Sequence, residues 1–260
     1  MMQVKILEKG ENKIRFAMEG INFAFANTLR RTMYGEIPVM AIEDVDLEEN
    51  TSGLFDEVLG HRLGLIPLTF DPKLYRVKNE CKCKDEGCSN CEVTLVLEKE
   101  GPCIVRAGDM KSTADDVKAA DPNIPIVELL EKQRLKFSAN AQLGFGSEHI
   151  KWQASVSGYQ NLPSVKVNAE KADTAIVDVC PTHVFEKRDG KPKVVNEMNC
   201  ILCMKCVEAS EGVTVKADEN SFIFTVETVS GLKPKQIVEI ALDTLEKKAE
   251  DFLAQAKKEL

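Results

Sequence analysis

Asn27-Thr-Leu-Arg-Arg-Thr-Met-Tyr-Gly-Glu-Ile-Pro-Val-Met-Ala-Ile-Glu-Asp-Val45 is the stretch from which the architecture can be read. Phe25, Leu29 and Thr32/Met33 fall at helical spacing, so a helix is expected over Phe23–Tyr34, with Asn22 placed to cap it. Gly35 suits the residue just past the helix end, and Pro38 stops it. From Val39 to Leu47 apolar Ala41, Val45 and Leu47 are set against Glu43, Asp44 and Asp46, which reads as a strand. Arg30 and Arg31 leave the apolar face of the helix. They form either a solvated face or a grip for the carboxylates and carbonyls of a larger partner.

Upstream, Val4 and Ile6, then Ile14, Phe16 and Met18, alternate around Glu8-Lys-Gly-Glu-Asn12 and predict a hairpin. Downstream, Leu54–Leu63 has the spacing of a short helix ended by Gly64, with Leu65–Leu68 extended after it. Strands are expected at Glu92–Glu98, Cys103–Ala107 and Trp152–Val156, and a buried segment opens at Ile126. Asp109–Asn123 reads as loop. Lys132–Gly146 reads as a basic, glycine-containing stretch with no assigned element. Further on, a short strand is expected at Ala175–Val179, a turn at Arg188-Asp-Gly190, a helix at Val207–Ser210 and strands at Val213–Val215 and Phe222–Val229. Pro234 suits the first position of a long terminal helix. Its apolar stripe is Val238, Ala241/Leu242, Leu245, Ala249, Phe252/Leu253 and Ala256.

The most specific chemistry lies in Cys200-Ile-Leu-Cys203-Met-Lys-Cys206, preceded by Cys180-Pro181. Three cysteines at spacings of three, with a distant Cys-Pro, are the ligand pattern of a cuboidal iron–sulfur cluster. A two-cluster arrangement would need a further cysteine where Ser210 stands, and three more at Glu170, Asp173 and Ile176. Cys180, Cys200, Cys203 and Cys206 are therefore one complete set, for one 4Fe–4S cluster or its 3Fe–4S form. Zinc in the same thiolates, or a loop without metal, are the competing readings. A second group, Cys81/Cys83/Cys88/Cys91, can close a tetrahedral zinc site with Gly87 reversing the chain; a reduced, metal-free loop is the alternative. Cys103 stands alone. His61, His149 and His183 lie in no catalytic motif, so no active site is expected on this chain.

The bulk composition bounds the rest. The chain has 260 residues, 43% of them hydrophobic and 29% charged, and a net charge of −8, which disfavours direct sequence-specific nucleic-acid binding and favours protein partners. No apolar run approaches the ~20 residues of a membrane span, and there is no secretory leader pattern, so a cytoplasmic protein with reduced thiols is expected.

The Asn27–Val45 segment resembles the signature of the alpha-like subunits of multisubunit DNA-directed RNA polymerases. His61-Arg-Leu-Gly-Leu-Ile-Pro-Leu68, beside a cysteine-rich loop, is similar to the archaeal and eukaryotic branches, and the ferredoxin-like insert is similar to that of the archaeal branch. The resemblance implies an α+β fold in three parts. A dimerisation domain is made from both chain ends, 1–46 and 222–260. An inserted mixed α/β–β domain, 47–165, carries the zinc-type loop, and a ferredoxin-like domain spans 166–221. It also implies a non-catalytic assembly platform. That platform pairs with small subunit L, joins the other small subunits and docks the large catalytic ones through Asn27, Leu29, Arg30 and Arg31. Burial of Leu245, Phe252 and Leu253 against a partner helix is expected. The competing function is an iron–sulfur electron-transfer or redox-sensing protein.

Overall fold

In the computed structural model, residues 2–84, 86–168 and 170–259 are described, which leaves Met1, Asp85 of the cysteine-rich loop, Ala169 and Leu260 outside the description. The hairpin forms as expected, from β1 (Gln3–Lys9) and β2 (Lys13–Glu19), with an irregularity between Ile6 and Glu8. α1 (Phe23–Gly35) follows, its first turn capped by Asn22, whose Oδ1 accepts from the Phe25 amide at 2.8 Å. The chain then runs through β3 (Pro38–Asn50), α2 (Asp56–Gly64), β4 (Leu68–Thr69), β5 (Glu92–Glu100), β6 (Cys103–Arg106), β7 (Lys111–Ser112), β8 (Lys118–Ala119), β9 (Pro125–Leu129) and β10 (Arg134–Phe145). It continues with β11 (Ser155–Val167), α3 (Ile176–Val179), β12 (Phe185–Arg188), β13 (Lys191–Val194), α4 (Lys205–Ala209), β14 (Val213–Thr228) and α5 (Pro234–Glu259). No helix among the described residues is long and apolar enough to cross a membrane.

Two compact units result. The first comprises the chain to Lys9, Ile14–Thr28 and Gly158–Thr225. Its sheet has the order β1-β2-β14-β11. The Phe16 and Phe224 rings stack at 5.1 Å, and Tyr159 meets Phe222 edge-on at 5.6 Å. A second core in the same unit gathers Val165, Ile176, Val184, Phe185 and Val213 around Cys180, Cys200 and Cys206.

The second unit comprises Gly10–Lys13, Leu29–Ser157 and the chain from Val226. Its sheet has the order β3-β10-β5-β7. β10 is the strand that the basic Lys132–Gly146 stretch conceals. Leu135, Phe137, Ala139, Ala141 and Leu143 are all buried, and they alternate with exposed or half-buried neighbours. The two alanines weaken the apolar signal while keeping the inward period. β10 pairs antiparallel with β3 on one side and with β5 on the other. Beside this sheet α2 buries Leu59 and Leu63, and Trp152 packs in a short turn of 3-10 helix, so the strand expected from Trp152 begins only at Ser155.

Three other expectations change. The Ala175–Val179 segment is helix α3, because Asp173 Oδ1 accepts from the Ala175 amide at 2.9 Å and turns a β-branched run into a helical start. The two strands expected at 213–215 and 222–229 are one, β14, running through the 221/222 boundary. The Asp109–Asn123 loop contains β7 and β8 and is tied down by Tyr75, whose hydroxyl donates to Asp116 Oδ1 at 2.9 Å. Burial and that bond push the Tyr75 hydroxyl up to about 12.

α5 starts as its sequence suggests. Pro234 occupies the first turn, the Ile237 amide donates to Lys233 O at 3.1 Å, and Gln236 Oε1 accepts from the Lys233 amide at 3.0 Å. Only its N-terminal part is packed: Pro234, Ile237 and Ala241 are buried.

Gly144 lies in the interior of β10, where a Cβ would come within 2.4 Å of the Trp152 ring. Glycine here permits the close approach of the indole rather than a special backbone angle. Gly144→Ala should destabilise the chain by about 1–3 kcal/mol, read from the midpoint of urea unfolding.

Candidate metal centres and partner surface

The Cys81–Cys91 loop leaves a turn of 3-10 helix at Lys78–Glu80 and runs directly into β5. Its four Sγ atoms all lie within 4.8 Å of one another. Sγ separations are 3.5 Å for Cys81–Cys88, 3.6 Å for Cys83–Cys91 and 3.7 Å for Cys88–Cys91. A tetrahedron of thiolates around one zinc, with bonds of about 2.3 Å, has edges of about 3.8 Å, close to these values. The turn that closes the loop is held by the Cys91 and Glu92 amides, both donating to Cys88 O at 2.9 Å. The Cys88 amide points to Cys91 Sγ at 3.3 Å. Gly87 supplies a φ of +86°, and a Cβ there would run into the Glu92 carboxylate, which pairs with Lys78.

The thiols titrate unlike isolated ones. Hydrogen bonds from Cys83, its backbone amide first, draw Cys81 down to about 7. Burial pushes Cys91 up to about 12 and raises Cys83 as well. Four sulfurs this close lose their protons together only around a cation, so the donor set fits a single soft divalent ion.

The second constellation is built differently. Cys180 follows α3, Cys200 follows a 3-10 turn at Glu197–Asn199, and Cys206 lies in α4; all three are buried, whereas Cys203 is exposed. The four line one cavity of about 310 Å³, including its solvent-open mouth, together with Val184 and Phe185. Among the described residues they do not form a group gathered within 4.8 Å, as the first set does. That wider spread suits a polynuclear cluster better than one ion.

The loop backbone supplies donors. Leu202 and Met204, neither of them glycine, take φ of 56° and 61°, in the left-handed region. Single left-handed residues between ordinary ones turn successive amides to one side, a concavity that holds anionic groups such as iron–sulfur centres. The Val184 amide donates to Cys180 Sγ at 3.4 Å. The Leu202 amide faces the Cys200 sulfur, and the Cys206 and Val207 amides face that of Cys206, although burial raises both thiols overall. Gln160 Nε2 fixes the loop by donating to Cys200 O at 2.9 Å. These donors, with an apolar wall, fit a cluster of thiolate-bound iron and sulfide. Ser210, where a second cluster would need its ligand, is committed elsewhere: its Oγ accepts from the Asp173 and Gly212 amides at 3.0 and 3.3 Å.

The residues expected to meet a partner divide by exposure. On α1, Arg31 is exposed, Asn27 and Arg30 are half-buried, and Leu29 is fully buried. Leu29 is thus a core anchor for the helix and not a contact in itself. On α5, Leu245 is half-buried, while Leu242, Phe252 and Leu253 are 40%, 70% and 55% exposed. The left-handed loop residues and the joint placement of His61 and His149 in one cavity have no signal in the sequence: the former are ordinary side chains, and the latter are far apart in the chain.

Residues 42–163 match the RNA polymerase Rpb3/RpoA insert domain. The chain is 39% identical over 259 residues to DNA-directed RNA polymerase subunit Rpo3 of Methanosarcina acetivorans, with 97% of each chain covered. It is 39% identical over 266 residues to the protein of that name from Pyrococcus furiosus, covering 99% of this chain and 98% of the relative. With the Archaeoglobus fulgidus protein it shares 39% identity over 255 residues and 97% of each chain. Near-complete coverage at this identity places the chain as a whole, not its insert alone: it belongs to the Rpo3 family of DNA-directed RNA polymerase subunits.

Proposed function

We propose that this chain is a non-catalytic assembly platform of DNA-dependent RNA polymerase, of the archaeal alpha-like type that carries a ferredoxin-like insert. In this reading it pairs with small subunit L, gathers the other small subunits and docks the large catalytic subunits. The observation that carries this reading is α5: a helix of 26 residues whose last turns expose Phe252 and Leu253, with only Pro234, Ile237 and Ala241 buried. An apolar stripe that continues past its own core is the mark of a helix completed by another chain. In this reading 1–46 and 222–260 form the dimerisation domain, 47–165 the inserted domain and 166–221 a ferredoxin-like domain. Arg30 and Arg31 of α1 face the large subunits, with Leu29 beneath them as anchor.

Both cysteine sets have structural roles in this reading. Cys81, Cys83, Cys88 and Cys91 hold one zinc with no open position. Cys180, Cys200, Cys203 and Cys206 hold one 4Fe–4S cluster, whose chemistry is that of a one-electron centre. A second reading, redox sensing or electron transfer, is favoured by a single observation: Cys203 is exposed at the mouth of the cavity while the other three ligands are buried.

Three measurements test these roles. Phe252→Ala with Leu253→Ala should weaken the complex with subunit L by about 30-fold, the scale for removing a buried interface anchor, in sedimentation or calorimetry. Anaerobically purified protein should contain about one zinc per chain, and Cys88→Ser should lose it while keeping the iron–sulfur absorption. Cys200→Ser should lose the iron. If heterodimer assembly falls with it the cluster supports assembly, and if assembly is unchanged while reversible redox cycling disappears the second reading stands.

A further inference from the structure

The two ends of the Cys81–Cys91 loop are fastened to each other outside the sulfur set. Lys78 opens the 3-10 turn that enters the loop, and its carbonyl accepts from the Cys81 amide at 3.1 Å. Glu92 is the first residue of β5 and follows Cys91 directly. The Lys78 ammonium donates to Glu92 Oε1, and the two side chains are only 31% and 23% exposed. Beside this pair the Arg76 amide donates to Asn90 O at 2.8 Å. The segment just before the first sulfur is thereby tied to the residue just after the last.

Glu92 also reaches the crown of the loop. A Cβ at Gly87 would overlap Glu92 Oε2 and stand 3.0 Å from its carboxyl carbon. One carboxylate therefore meets the base of the loop through Oε1 and lies against its crown through Oε2. The backbone of the same residue adds a third tie, since its amide donates to Cys88 O at 2.9 Å. A lysine–carboxylate pair standing free in water contributes little. This carboxylate is instead enclosed between an ammonium and a backbone turn, in a loop that keeps four sulfurs within 4.8 Å of one another. Freedom removed from the loop in advance need not be removed when an ion binds.

We propose that Glu92, held by Lys78, is a positioning residue for the metal of this loop, a strut from base to crown that keeps the four sulfurs at tetrahedral spacing before the ion arrives. The proposal rests on the reading of the loop as a zinc site. Neither residue is a ligand: the four thiolates complete the coordination, and the pair acts on them through the backbone. Gly87 then has two tasks, supplying its φ of +86° and leaving room for the carboxylate.

The test equilibrates the full chain, under anaerobic conditions, with free zinc set by a chelator buffer, and reads zinc per chain by elemental analysis. Lys78→Met and Glu92→Ala should each weaken zinc binding by about tenfold. The double variant should be weaker than either single one by no more than about twofold, because the two side chains form one strut. Lys99→Met, which breaks the Lys99–Asp109 pair on the same strand β5, should bind zinc as the wild type does. The proposal is overturned if either single variant keeps the wild-type affinity, if the two losses multiply in the double variant, or if Lys99→Met weakens binding equally. In those cases the zinc reading of the loop stands. A wild-type chain that takes up no zinc at this loop overturns that reading, and the strut with it.

Discussion

Sulfur atoms packed at van der Waals distance in a buried loop can be thiols or metal-bound thiolates, but not free thiolates. That constraint governs the cysteine-rich loop of the second unit, whereas the wider-spread cysteines of the first unit are tied to a small apolar core. In the loop before β5 the four Sγ atoms include neighbours 3.5–3.7 Å apart, with one thiol drawn down and its buried neighbour pushed up. A cation removes the conflict, because it lets all four ionise while the amide donors remain satisfied. In the first unit three cysteines belong to a small core whose other buried members, among the described residues, are Val165, Ile176, Val184, Phe185 and Val213. A core that small contributes little by burial alone.

The partner surface follows a complementary logic. α5 is anchored at its start by Pro234, Ile237 and Ala241, and then carries apolar residues into solvent. Helix propensity holds such a segment weakly. Its amphipathic pattern persists to Phe252 and Leu253, which is expected if a second chain completes the packing. On α1 the order is reversed: Leu29 is fully buried so that Arg31, two positions on, can be held outward. Anchoring and presentation are separate tasks given to neighbouring residues.

What can be read from sequence follows from how local each signal is. The β1–β2 hairpin, the Asn22 cap, the Pro234 start of α5 and the gathering of Cys81, Cys83, Cys88 and Cys91 depend on spacing over a few residues, and all are legible. β10 is not, because Ala139 and Ala141 add little apolar signal to the inward face and Gly144 is small on account of the Trp152 ring it meets. α3 is hidden because a single aspartate, Asp173, outweighs the β preference of Ile176, Val177 and Val179. The left-handed Leu202 and Met204 are invisible for a similar reason: the loop around the cysteine cavity, and not their own side chains, imposes the conformation.

The cysteine core and the aromatic core of the first unit share strands. Val213, in the cysteine core, and Phe222 and Phe224, in the aromatic core, lie on the same uninterrupted strand, β14. β11 joins them a second time, with Val165 in the first core and Tyr159 against Phe222 and Phe224 in the second. Arg15 of β2 also donates to Met198 O at 3.1 Å, just ahead of Cys200. Loosening the cysteine core therefore acts on the strands that carry the β1–β2 hairpin. On the proposed reading, a cluster in this position affects assembly through shared strands, with no separate moving part.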